Sequence, residues 1–302
     1  MKKFSLLSLL LITQLSYSIP QYYCTASDAT YYPNLLNLIG SIHKTNFDEL
    51  VEIAVFNLGM SAKQINSLKQ IAKVTVHEVD HVHPDIIKPI VTTRSGKRVP
   101  GSYAWKPVVI KQSLDKFPYV FYLDAGVTVL KSLNDIFEYI EANGYFLLAP
   151  GPEHNIIDRS TKRVRKQIMN QLYAQYRGLL TCKDTPSVTA GLQGVSRKVY
   201  DEYVMPMYEF AKDVTLFVDD GSSSKGKGEA RHDQPLFSIL AHINGYRLFT
   251  ERGYFVLQLK NEKKVVHIHH LESQLNQDSV IYVSRTQGPN YQGGAMRFIR
   301  YK

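Results

Sequence analysis

The sequence predicts an α/β fold, with a mixed, mostly parallel sheet flanked by helices. Three observations carry that expectation. Short runs rich in β-branched and aromatic residues alternate with segments of helical period through the first half of the chain. Proline, glycine and capping residues stand at the boundaries between them. The 302 residues are 44% apolar and 21% charged, which excludes a disordered chain and is ample to bury a core. Strands recurring between such helices imply βαβ crossovers, and hence parallel pairing.

Gln21 to Thr25 reads as the first strand, and Pro33 opens a helix whose apolar face is Leu35, Leu36, Leu38, Ile39 and Ile42. Val51 to Phe56 is the second strand; Asn57-Leu58-Gly59 turns the chain, and Ser61 with Gln64 forms a capping box for a helix reaching Ala72. Val74 to Val79 follows as a strand. Pro107 starts a helix to Lys116, and the apolar run Tyr119 to Leu123 is a buried strand. A helix from about Leu133 to Ala142 stops at Gly144, before the strand Tyr145 to Ala149. Beyond Pro150 the pattern loosens, with strands expected near Val188 to Val195, Arg247 to Thr250, Phe255 to Leu259 and Val265 to His269. Gly221 to Gly228, rich in Gly, Ser and Lys, reads as a mobile loop.

The N-terminus sets the compartment. Lys2 and Lys3 precede the apolar stretch Phe4 to Leu15, and Ser16 and Ser18 supply small residues at a cleavage site. Residues 1–18 therefore read as a secretory signal peptide, with 19–302 as a single domain after it. An uncleaved anchor, or a first strand or core helix, are the competing readings of the same stretch. After cleavage no stable membrane span is expected. Cys24 and Cys182 are the only cysteines, and an oxidising compartment permits either one disulfide or two buried thiols.

The charge is +9, from 36 Lys and Arg against 27 Asp and Glu, which favours anionic partners without choosing among them. No zinc-finger, RRM or KH signature occurs, so nucleic acid is not an expected partner. No G-x-S-x-G, Walker A or Rossmann G-x-G-x-x-G pattern occurs either, which leaves hydrolase-triad and dinucleotide readings without support.

In open α/β sheets ligands bind beyond the carboxyl ends of the strands. The sharpest such end is Phe121 to Gly126, FYLDAG, where a buried strand delivers Asp124 into a glycine-containing turn. A carboxylate there either reaches a divalent cation holding phosphate oxygens or caps its own turn.

The segment YAWKPVVIKQSLDKFPYVFYLDAGVTVLKSLNDIF, Tyr103 to Phe137, resembles the central block of GT-A-fold nucleotide-diphospho-sugar glycosyltransferases of the glycogenin and galactinol-synthase-like superfamily. There a helix leads into the strand that carries Asp-x-Asp. Other segments are similar in the same order: Tyr22 to Lys44 to the first strand and donor-contacting turn, Val188 to Tyr200 to the Asn-x-Gly strand, RHDQPLFSILAHI from Arg231 to the Asp-Gln helix, and VVHIHH from Val265 to the late histidine strand. The resemblance implies a glycosyltransferase that takes a nucleotide-sugar donor and a glycan, protein or small-molecule acceptor.

Carried over by position, Asp124 matches the first Asp of Asp-x-Asp, while Gly126 stands where the second belongs. A single carboxylate is a weaker site for Mn²⁺ or Mg²⁺, and the resemblance offers His267 or His269 as a further metal ligand. Asp233 and Gln234 match the Asp-Gln pair beside the transferred sugar, where a carboxylate orients an acceptor hydroxyl or stabilises oxocarbenium-like charge; Asp233 is also placed to be a helix N-cap. Gly191 matches a glycine that lets substrate approach the backbone, and Thr189 replaces the usual Asn. Thr25, Ala26 and Ser27 follow the first strand, where the family's backbone meets the nucleotide. Lys106 is placed to pair with donor phosphates and Tyr103 or Trp105 to stack on a base, or these residues pack the helix start.

Two more clusters carry charge. His77, Glu78, Asp80, His81 and His83 read as a polar strand end, since the spacing fits no zinc signature. Arg159, Lys162, Arg163, Arg165 and Lys166 read as a solvated basic face, with binding of a phosphate or anionic acceptor as the alternative. The rival to an enzyme is a secreted, non-catalytic module on a degenerate transferase fold that binds a glycan or a protein.

Overall fold

The computed structural model describes residues 19–91, 96, 98–150, 155–177, 185–251, 254–257, 279–283 and 294–302. The central sheet has seven strands: β1 (Gln21–Ser27), β2 (Leu50–Asn57), β3 (Val74–Glu78), β6 (Tyr119–Leu123), β8 (Tyr145–Ala149), β9 (Leu192–Ser196) and β10 (Leu248–Thr250). Their order is β10-β8-β9-β6-β1-β2-β3. All pairings are parallel except those of β9, which runs antiparallel to both β6 and β8. The short strands β4 (Pro89–Val91) and β5 (Arg98–Pro100) form a separate antiparallel pair. A three-stranded sheet joins β7 (Val127–Val129) to β12 (Ile281–Val283) and β11 (Phe255–Leu257).

Strand alternation sorts the core into two layers. Cys24, Ala26, Ala54, Phe56, Val120 and Tyr122 face α3 (Trp105–Lys116), α5 (Met205–Ala211) and α6 (Gln234–Ile243). Tyr23, Ile53, Val55, Phe121 and Leu123 face α1 (Tyr32–Asn46) and α4 (Asn134–Asn143), with Leu68 of α2 (Ala62–Lys69) beyond them. All five residues of β6 are buried, as a strand covered on both faces requires.

The local chemistry follows the sequence closely. Ser61 and Gln64 make the reciprocal capping box, although α2 ends at Lys69 rather than Ala72. Gly144 closes α4 with φ +91°, a conformation only glycine adopts freely. β9 starts at Leu192, four residues later than expected, because Ser187 to Gly191 crosses the end of the sheet, tied to it by single main-chain bonds from Thr189 N to the Leu148 carbonyl and from Asp124 N to the Gly191 carbonyl rather than by a ladder. The expected strand Val265 to His269 lies outside the described residues.

Helix α1 is buried on more than its apolar face. Asn37 donates to Thr128 Oγ1 at 2.8 Å, Ser41 Oγ accepts from Val129 N at 2.9 Å, and Asn46 Oδ1 accepts from Leu133 N at 2.9 Å. These polar groups splice α1 to β7 and to the start of α4. On the same helix, His43 Nδ1 accepts from Arg300 N and Asn37 Oδ1 accepts from Ala295 N, both at 3.0 Å, so the C-terminal segment is laid across α1.

The loop Gly221 to Gly228 is laced down rather than loose. Asp219 accepts from the main-chain N–H of Gly221 and Gly228 at 2.9 and 2.5 Å, Lys162 N donates to Ser222 Oγ, and Ser224 donates to Asp158. Arg165 spends its guanidinium on the carbonyls of Ile157, Ser160 and Ser222, and Arg159 is buried against Glu229. Of the basic cluster, Lys162, Arg163 and Lys166 remain exposed. Cys24 is a free, fully buried thiol that burial raises to about 12; Cys182 lies outside the described residues.

Candidate active site

Every loop at one edge of the sheet follows the carboxyl end of a parallel strand or precedes the antiparallel one. That edge gathers Ser27 at the end of β1, Leu58 after β2, Asp124 after β6, Pro150 after β8, Glu251 after β10 and Gly191 before β9. Two adjoining clefts open there. The first is lined by Ala26, Ser27, Tyr31, Arg98, Trp105 and Gly126, among others, and the second by Lys106, Gly191, Arg231, Asp233, Gln234 and Glu251. Tyr103, Asp124 and Val283 line both, so Asp124 stands on the seam.

Lys106 reaches Asp124 from the second cleft. Its side chain is 4% exposed, and its ammonium lies 2.9 Å from Asp233 Oδ2, 3.3 Å from Asp124 Oδ1 and 3.2 Å from the carbonyl of Ala190. Burial opposes the charged ammonium, but the carboxylates of Asp124 and Asp233 outweigh it and hold Lys106 well above the ordinary lysine range. An ammonium has three N–H donors, and three acceptors surround this one. Asp124 Oδ1 also accepts from Tyr122 Oη at 2.6 Å, and burial next to that carboxylate pushes the tyrosine far up.

Asp233 is the residue before α6, yet its side chain makes no capping bond. It turns instead to Lys106, buried at 5% exposure. Gln234 donates through Nε2 to the carbonyl of Val188 at 2.8 Å, and Ser238 Oγ receives Val188 N at 2.7 Å. The start of α6 thus fixes the crossing segment that carries Ala190 and Gly191. The glycine at 191 has a specific reason: a Cβ there would sit 2.6 Å from Asp124 Oδ2. It makes room for a carboxylate of the chain itself.

The entrance to α3 is strained. Gly101, Ser102 and Tyr103 have φ of +49°, +52° and +71°, and His232, across the cleft, has +52°. Non-glycine residues adopt that region at about 1–2 kcal/mol each, so something must hold them there. Ser102 Oγ donates to the carbonyl of Phe217 at 2.7 Å, and His232 Nδ1 lies 2.9 Å from the same oxygen. The Tyr103 and His232 rings lie 5.1 Å apart. A carbonyl only accepts, so Nδ1 carries the imidazole proton, and burial lowers the His232 pKa, keeping the ring neutral.

The structure brings Ala26, Ser27, Tyr103, Lys106, Asp124, Gly126, Gly191, Asp233 and Gln234 to these clefts. Thr25 stays within the sheet, buried and paired with Val55, outside both linings. His267 and His269 lie outside the described residues. The sequence reading missed Tyr31, Arg98, His232, Glu251 and Val283. Glu251 had a signal, since it follows a strand the sequence predicts; Arg98 had only its nearness to the Tyr103 block, on a β4–β5 pair too short to read. Thr189 donates its hydroxyl to Glu251.

With His267 and His269 outside them, the described residues do not by themselves make a divalent-cation site. Asp124 Oδ1 is already engaged by an ammonium and a hydroxyl, Gly126 offers no side-chain oxygen, and among the described residues no three His, Cys, Asp or Glu side chains gather as a metal site. That holds for the histidine-rich strand end too: His77 pairs with Glu52 at 3.4 Å and meets Lys116, while Glu78 binds Asn57 and Asp80 binds Gln112.

No protein-family model and no curated protein matches the chain. Solved structures do match it in shape. An active-site glutamine-to-glutamate mutant of LgtC aligns over 92% of this chain and 94% of its own, with TM-score 0.50 and 14% identity. Mouse xyloside xylosyltransferase 1 aligns over 90% and 99%, with TM-score 0.51 and 10% identity. Core-mannan synthase A of Aspergillus fumigatus, in an Mn/GDP form, aligns over 75% and 70%, with TM-score 0.51 and 11% identity. With its seven-stranded, mostly parallel sheet flanked by helices, the chain has the GT-A fold of these glycosyltransferases.

Proposed function

We propose that this protein is a glycosyltransferase that moves a sugar from a nucleotide-diphospho-sugar to a hydroxyl on an acceptor. The observation that carries the reading is the meeting of Asp124, on the seam of the two clefts, with Lys106 and Asp233 of the second cleft. It supports a division of labour, with the nucleotide in the first cleft beside Ala26, Ser27 and Trp105, and the sugar and acceptor in the second beside Asp233, Gln234 and Glu251.

In the transfer, the bond between the anomeric carbon and the β-phosphate oxygen breaks, and its electron pair leaves with the nucleoside diphosphate. The acceptor oxygen forms the new glycosidic bond, and its proton passes to the departing diphosphate oxygen. Asp233, buried and held by Lys106, supports the positive charge that develops on the sugar. A leader at residues 1–18 would carry the enzyme into a secretory lumen, where Golgi-type compartments supply nucleotide sugars. Among the described residues no helix is long and apolar enough to cross a membrane.

The test is thermal unfolding of the protein with UDP, GDP and their sugars. A ligand that binds only the native state raises the midpoint by mass action, whatever the acceptor. The expected result is a rise selective for one nucleotide that Asp124→Ala removes. No rise with any of them would favour a binding module that has lost its donor.

A further inference from the structure

We infer that the donor site works without a divalent cation, with Lys106 as the built-in positive charge between Asp124 and Asp233 and Arg98 meeting the donor's diphosphate. This rests on the transferase reading above and deepens it. At Asp124 a divalent ion would find one of the two oxygens, Oδ1, already held by an ammonium 3.3 Å away and a tyrosine hydroxyl at 2.6 Å. It would gain no side-chain oxygen from residue 126 and would repel Lys106. The ammonium cannot swing aside cheaply. It is buried, and leaving would abandon Asp233, which is equally buried, without its counter-charge.

The charge count agrees. Two carboxylates and one ammonium leave a net charge of −1 on the seam, enough to stabilise a cationic sugar but weak as a trap for a divalent ion. The diphosphate then needs cations from elsewhere. Arg98 lines the first cleft together with Ser27, Tyr31 and Gly126, and it is exposed at the cleft's lip. Its planar guanidinium suits two phosphate oxygens at once, whereas the charge of Lys106 is already committed to Asp124 and Asp233. The two cations thus divide what one divalent ion would do, Lys106 holding the carboxylates in register and Arg98 neutralising the leaving group.

Isothermal titration of the full protein with UDP and GDP, in EDTA and in Mn²⁺, tests this. For the nucleotide that binds, the expected dissociation constants in the two buffers agree within about twofold, and Arg98→Ala weakens binding about tenfold in both. Lys106→Met is expected to make binding respond to Mn²⁺, since it unmasks two neighbouring carboxylates; should it fail to fold, the wild-type and Arg98 measurements decide. Binding that needs Mn²⁺, or that EDTA weakens by more than about tenfold, overturns the inference but keeps the transferase. An unchanged affinity in Arg98→Ala overturns the role given to Arg98. Absence of nucleotide binding in both buffers overturns the transferase reading, and this inference with it.

Discussion

Gly191 and Asp124 are built against each other. Asp124 N donates to the carbonyl of Gly191 at 2.9 Å, and any Cβ on residue 191 would lie 2.6 Å from the Asp124 carboxylate. Leu123 pairs with Leu192, so the contact is set by the antiparallel register of β6 and β9 rather than by a free loop. Gly191→Ala is therefore expected to displace the carboxylate and weaken nucleotide binding by about tenfold or more, with little loss of stability. Titration calorimetry beside a urea melt separates the two effects.

Lys106 is expected to matter for folding as much as for binding. Lys106→Met leaves Asp233 buried without its counter-ion, a class of change that costs about 3–5 kcal/mol. The double variant Lys106→Met with Asp233→Asn removes that stranded charge and is expected to recover much of the loss. Urea unfolding of the single and double variants checks this; equal destabilisation would show that the pair is not coupled.

The C-terminal segment gives a pH dependence with a definite sign. His43 is fully buried and accepts from Arg300 N, and burial, reinforced by Arg300 and Lys73, lowers its pKa from 6.5 to about 4. Between those values the unfolded chain binds a proton that the folded one does not. The stabilisation is complete above pH 6.5 and is lost as pH falls toward 4, by about 3 kcal/mol once both states are protonated. Denaturant midpoints from pH 7 to 4 are expected to fall more steeply for wild type than for His43→Asn.

Gly40 on α1 faces the same segment. A Cβ there would lie 2.1 Å from the carbonyl oxygen of Ala295, main chain that cannot rotate away. Gly40→Ala is expected to destabilise by about 1–3 kcal/mol despite alanine's higher helix propensity, because overpacking wins. A stability gain in a thermal or urea melt would mean that the segment does not dock as described.

What could be read from the sequence was local. The capping box at Ser61, the stop at Gly144 and the strands Tyr119 to Leu123 and Tyr145 to Ala149 each have their cause within a few residues, and the structure keeps them. Asp124 was legible for the same reason, as the abrupt end of an apolar strand. Asp233 was half legible: its place before α6 suggested a cap, but its partner Lys106 lies 127 positions earlier, and no local pattern announces that contact. The polar, buried side of α1 was hidden for a related reason. Asn37, Ser41 and Asn46 look solvated until β7 and the C-terminal segment are placed against them. Ser102, Tyr103 and His232 are held at positive φ by one distant carbonyl and by one another, which only the folded chain supplies.

The most direct test of the central claim, that Lys106, Asp124 and Asp233 form a sugar-transfer centre, is release of nucleoside diphosphate from a panel of UDP- and GDP-sugars. Even without an acceptor, slow transfer to water is expected from one donor. Asp233→Asn, which keeps the shape and removes the charge, is expected to slow it by about 10²–10³-fold while the nucleotide still binds. Release that Asp233→Asn leaves unchanged would contradict the claim, as would a protein that binds its nucleotide and consumes no donor in the panel.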